Sequence, residues 1–222
     1  MLVPLAGFAA GFLHVLSGPD HLAAVAPLAA RAHQGAWKTG ARWGVGHSAG
    51  VALVGLLALG LREALPVEAL SAWSERLVGV MLIGIGVWSL RQAARIQIHT
   101  HAHTHDGETH EHVHFHPGEK AKAHEATPHS HTHAAVGIGT LHGLAGSSHF
   151  LGVLPALALP STSAAVVYLL AFAAGTVLAM AGFSSALGLF ARRLGSGGRG
   201  YRGLMQTCAA AAIGIGAWWL VG

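Results

Sequence analysis

Two histidines and an aspartate lie inside an apolar stretch near the start of the chain, at His14, Asp20 and His21. The surrounding run, residues 1–30, exceeds the roughly 20 apolar residues that a membrane-spanning helix needs. An acidic side chain at the centre of such a helix costs about 2.5–3.5 kcal/mol on insertion scales. Imidazole and carboxylate groups are ligands for divalent transition metals. These residues therefore predict an ion or substrate site within the membrane.

Similar residues recur in two other apolar stretches. His142 and His149 have the same spacing as His14 and His21, and His47 lies in a Gly-His-Ser element of the second stretch. A lone histidine in a helix is more often a hydrogen-bonded packing residue than a ligand. Five of them together with one carboxylate favour metal binding.

The spacing of the first pair requires a break in its helix. In an unbroken helix His14 and His21 would lie about 10.5 Å apart along the axis. One ion with bonds of about 2.0–2.1 Å to nitrogen could not bind both. Pro19 lacks a backbone donor, and the residue before a proline, Gly18, is biased away from the helical conformation. The sequence predicts a break there, which would bring Asp20 and His21 to the level of His14.

We expect one metal ion near the middle of the membrane, bound by the side chains of the broken first span. His47 is the expected additional ligand, while His142 and His149 are expected to line the path or complete the shell. Because imidazole binds metal in its neutral form, transport should fall below about pH 6.5, the ordinary histidine pKa. The predicted metal-site residues are His14, Asp20, His21, His47, His142 and His149, with Gly18 and Pro19 as the helix break.

The composition predicts an all-α membrane protein. Of the 222 residues, 52% are hydrophobic and only 10% are charged, against about 25% charged in soluble domains. The single cysteine, Cys208, excludes a disulfide framework and a dithiol redox relay. The basic residues are spread over short loops, which fits membrane topology better than nucleic-acid binding.

The apolar pattern predicts six transmembrane helices, near residues 3–30, 42–62, 72–92, 135–159, 164–190 and 203–221. Eleven of the 13 lysines and arginines fall in or beside the loops after spans one, three and five, and two fall on the other side. The excess of positive charge predicts a plasma-membrane protein with both termini outside and these three loops in the cytoplasm.

An internal repeat divides the chain into two halves. His14 and His21 match His142 and His149, and residues 83–90 match residues 213–220, with offsets of 128 and 130 residues. Three spans per half imply two inverted three-helix repeats, the plan of many secondary transporters. The predicted domains are repeat 1 at residues 1–94, a loop at 95–134 and repeat 2 at 135–222.

The loop at 95–134 is rich in histidine and has few apolar residues. Such a segment cannot bury a core, so it is predicted to be disordered when metal-free and to collect metal loosely in the cytoplasm. An inert solvated linker is the alternative. Its twelve histidines are His99, His101, His103, His105, His110, His112, His114, His116, His124, His129, His131 and His133.

At His14, Asp20-His21 and Gly46-His47-Ser48 the sequence resembles the nickel/cobalt transporter superfamily, which includes urease- and hydrogenase-accessory membrane proteins and nickel/cobalt efflux proteins. The gap between His14 and Asp20 is one residue longer than in the uptake permeases of that family. The resemblance covers the six-span body and is nearest to the shorter urease-accessory-like members. It implies Ni²⁺ or Co²⁺ as the substrate.

The leading hypothesis is a secondary transporter for Ni²⁺ or Co²⁺, with no resident cofactor and no nucleotide motif. A Zn²⁺ or broad divalent-metal efflux protein and a non-transporting membrane metal reservoir or sensor remain alternatives. A thiol-redox conduit would need paired cysteines, and no hydrolase motif accompanies the histidines, so no enzymatic activity is expected. The expected partners are the metal ion, membrane lipid and, as a candidate, a cytoplasmic metallochaperone, but not nucleic acid. The sequence leaves the oligomeric state open.

Overall fold

The computed structural model describes residues 2–32, 35–60, 67–94, 96–105, 108–117, 132–144, 155–156, 158–195 and 198–221. The helices in these ranges are α1 (Leu2–Ser17), α2 (Pro19–Arg31), α3 (Ala36–Gly60), α4 (Val67–Ala94), α5 (Thr132–Leu144), α6 (Thr162–Arg193) and α7 (Arg199–Val221), and the strands are β1 (Ile96–His105) and β2 (Glu108–Pro117).

The chain is an α-helical membrane protein. Within the described ranges, residues 75–94 of α4 and the whole of α6 and α7 are long and apolar enough to cross a bilayer. The helices α1 and α2 satisfy the same criterion together, as a pair bent by 74°. Large apolar side chains such as Leu5, Leu170 and Trp218 stay exposed on the outer surface, where a bilayer would cover them. The six-span topology as a whole stays a prediction, because residues 145–154 of the fourth predicted span lie outside the described part.

The predicted break of the first span is confirmed. Gly18 takes an extended backbone conformation, with φ −92° and ψ 98°, between the end of α1 and the start of α2. Pro19 then opens α2, where the first helical position has no need of a backbone donor. Most of α2 is buried, and the buried residues are mainly alanines. A helix covered on so many sides can present polar side chains to the interior.

Glycines allow the helices to approach one another closely. The helix α1 packs along α6, α3 packs along both α5 and α6, and α4 packs along α7. A Cβ atom at Gly139 of α5 would overlap the carbonyl oxygen of Trp43 in α3. A Cβ at Gly11 of α1 would likewise overlap the carbonyl oxygen of Phe172 in α6. Small residues at such contacts are typical of membrane helix packing.

Replacing Gly139 by alanine should lower the stability of the protein by about 1–3 kcal/mol, the usual cost of overpacking. The matched control is Gly137→Ala on the same helix, where an added Cβ meets no atom within 4 Å. That control should change stability by no more than about 1 kcal/mol. Thermal unfolding of both variants in detergent tests the contact, and equal melting temperatures would contradict it.

The histidine-rich segment differs from the predicted disorder, because β1 and β2 pair as an antiparallel hairpin. The physical reason is the alternation of histidine with threonine, isoleucine, valine or phenylalanine, which matches the two-residue period of a strand. Asp106-Gly107, which separates the strands in sequence, is a preferred pair for a two-residue hairpin turn. The all-α prediction is corrected for this hairpin, while residues 118–131 lie outside the described part.

Candidate metal site

The start of α2 positions Asp20 and His21, both of which are buried. Asp20 lies in the first turn, where the helix dipole favours a negative charge. A Cβ atom at Gly18 would overlap the imidazole of His21 and come within 3.0 Å of an Asp20 carboxylate oxygen. Gly18 therefore provides the space for the two side chains as well as the break in the helix.

The Asp20 carboxylate accepts hydrogen bonds from two histidines. His21 Nδ1 lies 2.9 Å from Asp20 Oδ1, and His142 Nε2 of α5 lies 3.0 Å from Asp20 Oδ2. A carboxylate only accepts hydrogen bonds, so the proton of a neutral His21 is assigned to Nδ1. The Nε2 atom of His21 then has a lone pair for a metal or for a hydrogen bond.

The Nε2 atom of His21 faces the end of α1. It lies 3.1 Å from Nε2 of His14, and the imidazole of His47 in α3 stands with its centroid 4.9 Å from that of His21. The three side chains each offer a nitrogen, and these atoms lie within 4.8 Å of one another. Modest movement of the rings would bring all three nitrogens within bonding distance of one transition-metal ion.

A second group shares His21. Asp20, His21 and His142 also offer ligand atoms within 4.8 Å of one another. The sequence analysis grouped Asp20 with His14 and His21 as direct ligands, whereas the structure places the carboxylate between His21 and His142, on the side away from His14. Asp20 is thus positioned to orient the imidazoles, as carboxylates behind metal-binding histidines commonly do.

Burial removes most of this cluster from solvent. His47 and His142 have no exposed surface, His21 is 1% exposed and Asp20 is 3% exposed. His14 is only partly buried, which makes it the most accessible member. In such a low-dielectric site a negative carboxylate strongly favours a cation over a neutral solute.

Trp43 is a site residue that sequence reasoning did not identify. Its fully buried indole stacks on His47, with ring centroids 4.9 Å apart and an interplanar angle of 9°. It also contacts the rings of His21 and His142, with centroids 5.7 and 5.3 Å away. The signal was present, because Trp43 precedes His47 by four residues and so shares its helix face.

Five of the six predicted metal-site residues come together in the structure: His14, Asp20, His21, His47 and His142. The sixth, His149, lies outside the described residues. Near the position that corresponds to His47 in the second half, Thr176 is buried and donates a hydrogen bond to the carbonyl oxygen of Gly11, 3.4 Å away. Metal binding by the five residues stays a prediction.

Comparison with curated proteins gives three relatives. The chain is 37% identical over 183 residues to the chloroplast proteins FOR GROWTH AND FERTILITY 1 and 2 of Arabidopsis thaliana, covering 82% of this chain and 48% and 46% of theirs. The chain therefore spans about half the length of these relatives. It is also 28% identical over 189 residues to the urease accessory protein UreH of Bacillus sp. (strain TB-90), covering 82% of this chain and 75% of that protein. No solved structure matches the chain.

The Bacillus relative is of the kind that the resemblance to nickel/cobalt transporters implies, whereas the family match carries a different description. That match extends over residues 5–218, which include every residue of the buried cluster. The chain belongs to the family described as the cytochrome C biogenesis protein transmembrane region.

Proposed function

We propose that the protein is a secondary transporter that moves Ni²⁺ or Co²⁺ across the membrane through the cluster around His21. The observation that carries the proposal is the burial of four imidazoles and one carboxylate at a helix break in a membrane protein. Polar groups at such a position are costly, and substrate or ion pathways are their usual use. A structural role would be served by far fewer polar groups.

The chemistry of the cluster suits these metals. Imidazole nitrogen binds Ni²⁺, Co²⁺, Zn²⁺ and Cu²⁺, whereas Mg²⁺ and Ca²⁺ prefer oxygen ligands. The first group offers imidazole nitrogens only, with the Asp20 carboxylate behind His21. Neutral imidazoles leave the full charge of a divalent ion in place, and Asp20 offsets half of it. Imidazole alone does not choose Ni²⁺ over Zn²⁺; the preference for Ni²⁺ or Co²⁺ rests on the resemblance and on the Bacillus relative named as a urease accessory protein.

The shared ligand suggests how an ion would move. Because His21 belongs to both groups, an ion held with His14 and His47 could pass to His142 and Asp20 without leaving His21. Exchanging one ligand at a time avoids a bare ion in low dielectric. His14, the most accessible member, is the proposed point of entry to the cluster or exit from it.

We also propose that the two halves are inverted repeats, and matching helix contacts support this. A Cβ at Gly46 would meet the backbone of Val136 and Thr140, while one at Gly175 would meet that of Phe8 and Phe12. These two contacts interconvert when the halves are exchanged with offsets of 128 or 129 residues. The contacts of Gly86 with residues 209 and 213 and of Gly216 with residues 79 and 83 interconvert with an offset of 130. Exchange of the halves is the relation that a pseudo-two-fold axis produces.

Metal flux into sealed proteoliposomes of known protein orientation tests the function. We expect Ni²⁺ or Co²⁺ to cross faster than Zn²⁺, and Mn²⁺ to cross slowest, because Mn²⁺ binds imidazole weakly. Fastest flux of Zn²⁺ would instead support a zinc transporter. Tight binding without flux of any metal would identify a reservoir or sensor and contradict transport.

A further inference from the structure

The hairpin formed by β1 and β2 has two chemically different faces. Its register pairs β1 with β2 so that directly opposed residues share a face. Isoleucine, threonine, alanine, valine and phenylalanine occupy most of one face. The other face holds the eight histidines of the two strands. On that face the register opposes His99 with His114, His101 with His112, and His103 with His110.

The remaining positions of the histidine face are also polar. His105 is opposite Glu108, and His116 is opposite Gln97. The face therefore presents three histidine pairs in succession, bounded at each end by a histidine opposite a polar residue. This arrangement follows from the register alone, since a shift of one residue between the strands would separate every pair.

The spacing of these pairs fits one ion per pair. Directly opposed residues of antiparallel strands have Cβ atoms about 4.5–5.5 Å apart, a separation that two imidazoles sharing one ion can accommodate. Successive pairs lie two residues apart, which is about 6.8 Å along a strand. That distance exceeds twice the metal–nitrogen bond length of about 2.0–2.1 Å, so neighbouring pairs would hold separate ions.

We propose that this hairpin is a metal-binding face that holds about three divalent transition-metal ions, one at each opposed histidine pair. The register distinguishes this from the loose chelation predicted for a disordered histidine-rich chain. Each ion would link β1 to β2, so binding would stabilise the hairpin. Water or a neighbouring histidine would complete the coordination of each ion.

Two double variants of the full-length protein in detergent test the pairing, with Ni²⁺ as the probe. H99A/H114A removes both members of one pair, whereas H99A/H110A removes one member from each of two pairs. Both variants lose one histidine from each strand and have the same composition. Equilibrium dialysis with metal analysis should show about one ion lost from the first variant and about two from the second, on the one-ion-per-pair spacing.

Equal losses from the two variants would overturn the proposal, because a disordered chelator is indifferent to which histidines are removed. Hydrogen exchange supplies a second measurement. Ni²⁺ should slow amide exchange across residues 96–117 in the unmodified protein, and unchanged exchange would also contradict the proposal. Neither result depends on the buried cluster, so metal flux through His21 variants distinguishes a failure here from a failure of the proposed transport.

Discussion

Replacing His21 by alanine should reduce Ni²⁺ binding at the buried cluster at least about 100-fold and stop metal flux. His21 is the one residue present in both three-residue groups, so its loss leaves each group with only two ligands. It also leaves the Asp20 carboxylate with one of its two hydrogen-bond donors. Losing an imidazole ligand together with its carboxylate partner exceeds the 10–100-fold effect typical of outer-shell changes alone.

Flux assays in proteoliposomes measure this effect, with insertion of the variant checked by protease accessibility and gel filtration. The control is His33→Ala, which removes a histidine between α2 and α3 in sequence and away from the cluster. It should transport at the normal rate. Normal flux in a folded, inserted His21→Ala protein would rule out the cluster as the pathway.

Replacing Asp20 by asparagine should lower the metal affinity of the cluster about 10–100-fold and slow flux by at least as much. An amide has one oxygen acceptor where the carboxylate has two, so either His21 or His142 would face an NH₂ group instead. The substitution also removes the negative charge that offsets a divalent cation in a low-dielectric site. Isothermal titration with Ni²⁺ and flux measurements report the two effects.

Thr176→Val is the matched control for Asp20→Asn. Thr176 is also buried and polar, and its hydroxyl donates to the Gly11 carbonyl in α1, but it belongs to neither three-residue group. It should keep near-normal affinity and flux. If both variants lost affinity equally, the effect would reflect disturbed packing of the buried helices, and the role assigned to Asp20 would be wrong.

The amino-acid sequence by itself determined the class of protein and the chemistry available to it. The low charge content indicated a membrane protein, and the histidines with one carboxylate inside apolar segments indicated a metal site. Gly18-Pro19 also predicted the break of the first span, which the 74° bend confirms. These inferences succeeded because composition and local backbone constraints do not depend on distant residues.

The strand pattern of the histidine-rich segment was also present in the sequence, in the alternation of histidine with other residues. The sequence analysis gave more weight to the lack of core-forming residues and predicted disorder. A two-stranded hairpin needs no core of its own to satisfy its backbone hydrogen bonds, since the strands pair with each other. The register that opposes the histidines became visible only from that pairing.

Tertiary structure alone decided how the cluster is assembled. The second hydrogen bond of Asp20 goes to His142, 122 residues away in sequence, and Trp43 stacks on His47 beneath the same group. Spacing along a helix identifies neighbours three or four residues apart, but it does not specify which other helix will lie opposite. Here the close approach of α5 to α3 at Gly139 and Gly143 sets that choice, because only residues without a Cβ let two backbones pack closely enough to place their histidines around one carboxylate.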